Sequence, residues 1–172
     1  MNFDIGNKAS QENFKVSSTD HSRGSDTDLN ATKALLNAHK NDPSFYVPTG
    51  KVIFFGAAAN AQRMSDLVDQ ISNGKGETRQ ATQSHDWVGR WIGGNAPTTD
   101  FKGGSMFDDA HSSYTGDFVP VGTWIANNKV GSFDIGSVRQ NNWGEGHYSE
   151  PQYVMPTRLR EQLKQQKSIE EK

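Results

Sequence analysis

The stretch KVIFFG, from Lys51 to Gly56, is the clearest strand signal in the sequence. It is a continuous apolar run, which is typical of a strand buried on both faces of a parallel sheet. The segment NAQRMSDLVDQIS comes soon after it and places apolar residues from Met64 to Ile71 on one stripe. This spacing predicts an amphipathic helix, and Gly74 predicts its end.

Elements of the same kinds lie on either side of this pair. The segment FKVSS alternates weakly and predicts a short strand, and DTDLNATKALLNAHK has the spacing of a helix that ends at Asp42-Pro43. Beyond Gly74, ETRQATQ predicts another strand. The order strand, helix, strand, helix, strand favours an α/β fold in which crossover helices join parallel strands. The three strands are expected near Phe14–Ser18, Lys51–Gly56 and Thr78–Thr82.

Length and composition predict one domain with solvated ends. The 172 residues suit a single domain, yet only 33% of them are hydrophobic, which is lean for a self-sufficient core. We expect a flexible N-terminus over 1–13, an α/β domain over 14–155 whose last part is rich in loops, and a solvated C-terminal helix over 156–172 that opens at Pro156.

Several classes of function are disfavoured by charge and residue content. The net charge of −2 gives no electrostatic case for a nucleic-acid partner, and the absence of cysteine excludes thiolate sites and a cysteine nucleophile. No apolar run predicts a transmembrane segment, and the N-terminus lacks the pattern of a signal peptide. The histidines and carboxylates lack the spacing of a metal site, and no phosphate-binding loop is present, so we expect no cofactor. The compartment stays open.

The sequence STDHSRGSDT raises the possibility of a catalytic serine at Ser22. A nucleophile elbow is a sharp bend between a strand and a helix, with small residues two places before and two after the nucleophile. Gly24 fits the second position, but Asp20 occupies the first. A match this short is also typical of an ordinary turn. Its place between a predicted strand and a predicted helix favours the elbow, in which the backbone N–H groups of Ser22 and Arg23 would face an oxyanion.

A serine hydrolase of this kind needs an acid and a histidine later in the chain. Asp86 directly follows the third predicted strand, and His111 lies in a later loop. Each has a structural alternative, since Asp86 can cap the short segment WVGRWI and His111 can be a solvated loop residue. His147, in GEGHYSE, is an alternative base.

Three segments taken in order resemble the C-terminal half of α/β-hydrolase domains. They are HSRGS followed by NATKALL, then VIFFGAAANAQRMSDLV, and finally HDWVGRWIGGNAPT followed by AHSSYTG. The similarity covers about Phe14 to Gly116 and is to the lipase-like or esterase-like domains that end large bacterial surface proteins of the filamentous haemagglutinin and polymorphic toxin kind. The resemblance implies Ser22 as nucleophile, Asp86 as orienting acid and His111 as base.

That resemblance leaves two functions open. The first is a serine hydrolase that cleaves a carboxylic ester, such as a lipid ester, in a protein that is secreted or delivered as part of a larger bacterial chain. The second is a non-catalytic remnant or interaction module derived from a truncated toxin hydrolase. The early strands of such a domain are not found before Ser22. We therefore expect an incomplete sheet that self-associates or takes a partner segment along Phe14–Ser18.

Overall fold

The computed structural model describes residues 16–43, 49–98, 111 and 151–171. Four strands are present in this part of the chain: β1 (Val16–His21), β2 (Thr49–Phe55), β3 (Glu77–Ala81) and β4 (Gln152–Tyr153). The helices are α1 (Gly24–Asn41), α2 (Ala61–Ile71) and α3 (Thr157–Glu170), and a π-helical turn spans Val88–Ile92. The expected flexible N-terminus and most of the expected loop-rich region lie outside the described residues.

The four strands form one mostly parallel sheet in the order β1-β2-β3-β4. β1 pairs with β2 in parallel, with His21 opposite Phe55, and β2 pairs with β3 in parallel, with Phe55 opposite Ala81. The prediction of an α/β arrangement with three parallel strands is therefore confirmed, although β1 continues to His21 rather than ending at Ser18. The sequence predicted a loop where the antiparallel strand β4 lies. A strand of two residues is too short to show an alternating pattern.

The two crossover helices pack against the same face of the sheet. Val52 and Phe54 project toward them and are fully buried in a cluster with Leu29 of α1 and with Met64 and Val68 of α2. Burial of a side chain such as Phe54 contributes about 1.5–3 kcal/mol. The helices thus supply most of the core around β2.

The opposite face of β2 is covered less completely than the continuous apolar run suggested. Phe55 and Ala81 form a small buried cluster there, and Ile53 packs against it while remaining partly exposed. The prediction that KVIFFG is buried on both faces is therefore correct for its final phenylalanine and too strong for Ile53. Alternation along a strand, which sends neighbouring side chains to opposite faces, explains the difference.

The ends of the two crossover helices follow from local sequence. Asn60 caps α2 by accepting a hydrogen bond from the Arg63 N–H at 2.9 Å. The same helix ends at Ile71, and Asn73 and Gly74 just beyond it both have positive φ, as the position of Gly74 predicted. Helix α1 ends at Asn41 with Asp42 as its C-cap, directly before Pro43, again as predicted.

The predicted C-terminal helix is confirmed as α3, and it contains no buried residue. It is attached to α2 by polar contacts. The guanidinium of Arg158 donates to both carboxylate oxygens of Asp69 at 2.9 Å, and the Thr157 N–H donates to Asp66 Oδ1 at 2.7 Å. The Arg158 hydrogen bonds hold the pKa of Asp69 below its ordinary value. None of the described helices is long and apolar enough to cross a membrane.

Candidate active site

Ser22 stands at a sharp bend between β1 and α1. Its φ is 52°, in the left-handed region that a serine seldom adopts. Its carbonyl accepts hydrogen bonds from the Ser25 N–H at 3.2 Å, from Ser25 Oγ at 2.5 Å and from the Ala58 N–H at 3.1 Å. Three donors on one carbonyl fix the peptide plane, and a strained φ persists only where surrounding contacts hold it in this way.

The bend also determines which backbone N–H groups can face a ligand. The Ser22 N–H donates to the Phe55 carbonyl at 3.2 Å and so extends the pairing of β1 with β2. The prediction that this N–H faces an oxyanion is therefore wrong, because the sheet already uses it. The Arg23 N–H comes next and directly precedes α1. Arg23 is the N-cap of the helix, and N–H groups at a helix N-terminus lack intrahelical partners.

The two positions flanking the bend differ from the expected small pair. A Cβ added to Gly24 would lie 3.7 Å from Asp20 Oδ1, an ordinary contact, so the space at Gly24 would admit a methyl group. Asp20 Oδ2 is buried without a hydrogen-bond partner. Burial raises the pKa of Asp20 to about 6, because a low-dielectric surrounding disfavours the charged carboxylate. The aspartate thus fits at this position but is poorly solvated there.

Asp86 lies after β3 and is fully buried. Its Oδ1 accepts the Gly89 N–H at 3.0 Å and also lies 2.9 Å from His111 Nδ1. Asp86 can therefore both cap the segment WVGRWI and orient a catalytic histidine. The same oxygen, Oδ1, accepts the Gly89 N–H at the start of the π-helical turn and contacts the His111 imidazole. A Cβ on Gly89 would lie 3.1 Å from Asp86 Oδ2, so a glycine there allows this close approach.

His111 is held between Asp86 and the end of β1. Its backbone carbonyl is 2.9 Å from His21 Nε2, and the two imidazole rings have centroids 4.7 Å apart with planes tilted by 35°. The structure thus brings His111 beside the chain neighbour of Ser22. The alternative base, His147, lies outside the described residues.

The hydrogen bonds of the site indicate which ring nitrogen of His111 carries the proton. A buried carboxylate that accepts from Gly89 favours Nδ1–H as the donor in the 2.9 Å contact with His111. Nε2 of His111 then carries the lone pair of a base. Among the described residues, no hydrogen bond joins the Ser22 hydroxyl to His111 or to another side chain. Such bonds are often long in ligand-free sites and shorten when substrate binds.

Three supporting residues were missed by the sequence. Ser25 is buried, and besides bonding the Ser22 carbonyl its Oγ accepts the Ala59 N–H at 2.9 Å. Asn95 donates to the carbonyls of Ala57 and Ala59 at 3.2 and 3.0 Å, which ties the loop after β2 to the segment after Asp86. His21 is the third. The sequence signals that could have indicated two of them are a serine three residues after the bend, for Ser25, and the motif GGN, for Asn95.

The first glycine of GGN has a steric role beside Asn95. A Cβ on Gly93 would lie 2.2 Å from the Ala57 carbonyl oxygen and 2.8 Å from the Gly89 carbonyl oxygen. A side chain at this position therefore requires the backbone to move. The glycine lets two loops meet at the edge of the sheet where parallel strands end, which is where ligands bind in open α/β sheets.

An open cavity lies along the same segment. Its volume is about 600 Å³. The lining residues are Arg90, Trp91, Gly94, Asn95, Ala96 and Pro97. Trp91 and Ile92 are 84% and 56% exposed, so the segment that follows Asp86 presents apolar surface to solvent. Among residues 16–43, 49–98, 111 and 151–171, no group of three histidine or carboxylate side chains is placed to hold a metal ion.

Comparison with known proteins identifies no relative of this chain. No protein-family model matches the chain, and neither the curated proteins nor the solved structures contain a match. The candidate active site is therefore defined by the strained Ser22, the Asp86–His111 pair and the loops that hold them.

Proposed function

We propose that the protein is a serine hydrolase that cleaves carboxylic esters. Ser22 is the nucleophile, His111 is the general base and Asp86 orients the imidazole. The observation that carries the proposal is the 2.9 Å contact between His111 Nδ1 and a fully buried Asp86 carboxylate, together with the contact of His111 with His21, which directly precedes a serine with φ of 52°. A base held by an acid next to a nucleophile is the arrangement that activates a hydroxyl.

The reaction divides into acylation and deacylation. In acylation, Ser22 Oγ attacks the ester carbonyl carbon while its proton passes to His111 Nε2, and the carbonyl oxygen becomes an oxyanion. The oxyanion collapses, the bond to the alcohol oxygen breaks, and the proton on Nε2 passes to that oxygen. Water then attacks the acyl-enzyme, loses a proton to Nε2 and releases the acid, and the proton returns to Ser22.

Two features support the individual roles. The Asp86 carboxylate keeps the proton on His111 Nδ1 and stabilises the imidazolium that forms when Nε2 accepts a proton. The Arg23 N–H is the proposed oxyanion donor, because the Ser22 N–H is bound to Phe55. A donor at the start of α1 also lies at the positive end of the helix dipole, which favours developing negative charge.

The proposed substrate class is an ester with an apolar acyl group. The support is the exposed apolar surface of Trp91, which lines the cavity of about 600 Å³. Apolar surface that lines a concave site favours apolar ligands. A lipid ester and a small acyl ester share this chemistry, and the dependence of kcat/KM on acyl length separates them.

Steady-state hydrolysis of 4-nitrophenyl esters of increasing acyl length tests the proposal. We expect turnover by the full chain and its loss in Ser22→Ala. The matched control is Ser17→Ala, since Ser17 is an exposed serine of the same strand and should leave turnover unchanged. Equal turnover by the wild type and Ser22→Ala would show that Ser22 is not the nucleophile, and the proposal would fail.

A further inference from the structure

His21, the last residue of β1, contacts His111 in two ways. Its Nε2 lies 2.9 Å from the His111 carbonyl oxygen, and the two rings have centroids 4.7 Å apart. Alternation along the strand sends His21 to the face opposite Asp20. The side chain immediately before the proposed nucleophile therefore touches the proposed base from the strand itself.

The chemistry of the contact fixes the proton on His21. A carbonyl oxygen only accepts, so Nε2 of His21 must be the donor. Burial lowers the pKa of His21 to about 4, and the nearby His111 contributes in the same direction. His21 is then neutral near pH 7 with its one ring proton on Nε2. The two rings thus carry opposite tautomers, Nε2–H on His21 and Nδ1–H on His111.

We infer that His21 is a positioning residue that holds His111 in the orientation set by Asp86. An imidazole bound only through Nδ1 can still move with its backbone. His111 is bound at Nδ1 by Asp86 and at its carbonyl by His21, and its ring packs on the His21 ring. These contacts hold both the ring and the backbone of His111, and neither hydrogen bond uses its Nε2.

The catalytic consequence rests on the proposed function, whereas the positioning itself does not. A displacement of about 1 Å at a catalytic group can reduce a rate roughly a hundredfold. Loss of the His21 donor should therefore lower kcat by roughly ten- to a hundredfold, with little change in KM, because His21 contacts the base rather than the substrate.

Two substitutions separate the hydrogen bond from ring packing. His21→Phe keeps an aromatic ring and removes the donor, whereas His21→Gln keeps an N–H donor of similar reach and removes the ring. His39→Gln, in the last turn of α1, is the matched control. The full chain is labelled with ¹⁵N-histidine, and NMR reads the His111 tautomer and its Nδ1–H resonance, while ester hydrolysis is measured in parallel.

We expect a low-field Nδ1–H resonance from His111 in the wild type, in His39→Gln and in His21→Gln, and its loss or broadening in His21→Phe. Persistence of the resonance in His21→Phe would overturn the inference. So would its loss in His21→Gln while that variant remains folded by circular dichroism, and so would its absence from the wild type. If His21→Phe does not fold, His21→Leu, which also removes the donor, is measured in its place, and persistence of the resonance there overturns the inference.

The same measurements distinguish the two proposals. If the resonance responds as expected while the wild type hydrolyses no ester, the positioning role stands and the proposed function fails. If turnover is present and kcat is equal in the wild type and His21→Phe with the resonance unchanged, the proposed function stands and the positioning role fails.

Discussion

Ser22 and Asn73 have nearly the same φ angle in different surroundings. Their φ values are 52° and 51°. Asn73 is exposed at the end of α2, beside Gly74, and asparagine is one of the few residues that adopt this region readily. Ser22 is a residue without that preference, and three hydrogen bonds hold its carbonyl. Asn73 thus follows the end of a helix as a suitable residue, whereas Ser22 is held in a strained turn directly after His21, which contacts the candidate base.

The largest expected effect comes from giving both turns the same residue. Ser22→Gly should abolish ester hydrolysis, a loss of about 10⁴-fold or more for a removed nucleophile. It should also raise the free energy of unfolding by about 0.5–1 kcal/mol relative to Ser22→Ala, because glycine adopts positive φ without a Cβ clash.

The matched change at the other turn is Asn73→Gly, which should leave hydrolysis intact and shift stability by less than about 0.5 kcal/mol. Chemical denaturation and kinetics on the four proteins measure both effects. A Ser22→Gly variant less stable than Ser22→Ala would show that the bend stores no strain.

A second prediction concerns Asp86, which lies in the loop after β3 and contacts the proposed base, His111. Asp86→Asn keeps an oxygen for the Gly89 N–H but removes the charge that fixes the His111 tautomer. We expect kcat to fall by about 10⁴-fold, as for comparable triads, with stability reduced far less than in Asp86→Ala. The alanine variant also leaves the Gly89 N–H unsatisfied, at about 1–3 kcal/mol. Equal kcat in the wild type and Asp86→Asn would remove Asp86 from the mechanism.

A third prediction concerns Asp20, whose buried carboxyl lowers the stability of the folded protein when it is ionised. The folded-state pKa of about 6 lies above the ordinary 3.8, so the folded protein loses stability as pH rises from about 4 to 6. Asp20→Asn should therefore be more stable than the wild type at pH 8 by about 2–3 kcal/mol and equal to it at pH 4. Asp26→Asn, an exposed change on α1, is the control.

His21 has the opposite dependence on pH. Its folded-state pKa of about 4 lies below the ordinary 6.5. Stability is therefore complete above pH 6.5 and declines as pH falls toward 4, because the unfolded chain takes up the proton first. The two slopes oppose each other between pH 4 and 6 in the wild type. Urea melts of Asp20→Asn across this range should reveal the His21 slope, and a pH-independent curve would contradict the assignment.

The smallest expected effect is at Gly24. A Cβ would meet Asp20 Oδ1 at 3.7 Å, and alanine is the best helix former. Gly24→Ala should therefore raise the free energy of unfolding by less than about 1 kcal/mol and leave kcat near that of the wild type. A loss of several kcal/mol on thermal melting would show that the backbones at the bend approach more closely than the structure indicates.

Much of the fold was readable from sequence because it depends on local periodicity. The apolar run before Gly56 and the stripe from Met64 to Ile71 both predicted elements that are present. Strand β4 was not readable, since it is two residues long and pairs with a segment far away in the chain. Its position depends on tertiary contacts that leave no local pattern.

The candidate site was predicted only where chain order carried information. Asp86 and His111 followed from the order of serine, acid and histidine, and the structure places them 2.9 Å apart. The elbow pattern predicted a sharp bend at Ser22, but residue type did not indicate its positive φ, because serine has no preference for that region. The use of the Ser22 N–H by the sheet and the contact between His21 and His111 also depend on the meeting of separate segments.

The most direct test of the central claim is the site at which a fluorophosphonate attaches. Mass spectrometry of the digested full chain, after labelling with and without prior heat denaturation, identifies the modified residue. The account predicts an adduct on Ser22 in the native protein, none after denaturation, and none in Ser22→Ala. An adduct on another serine would contradict the role of the bend, and no adduct at all would favour the non-catalytic interaction module.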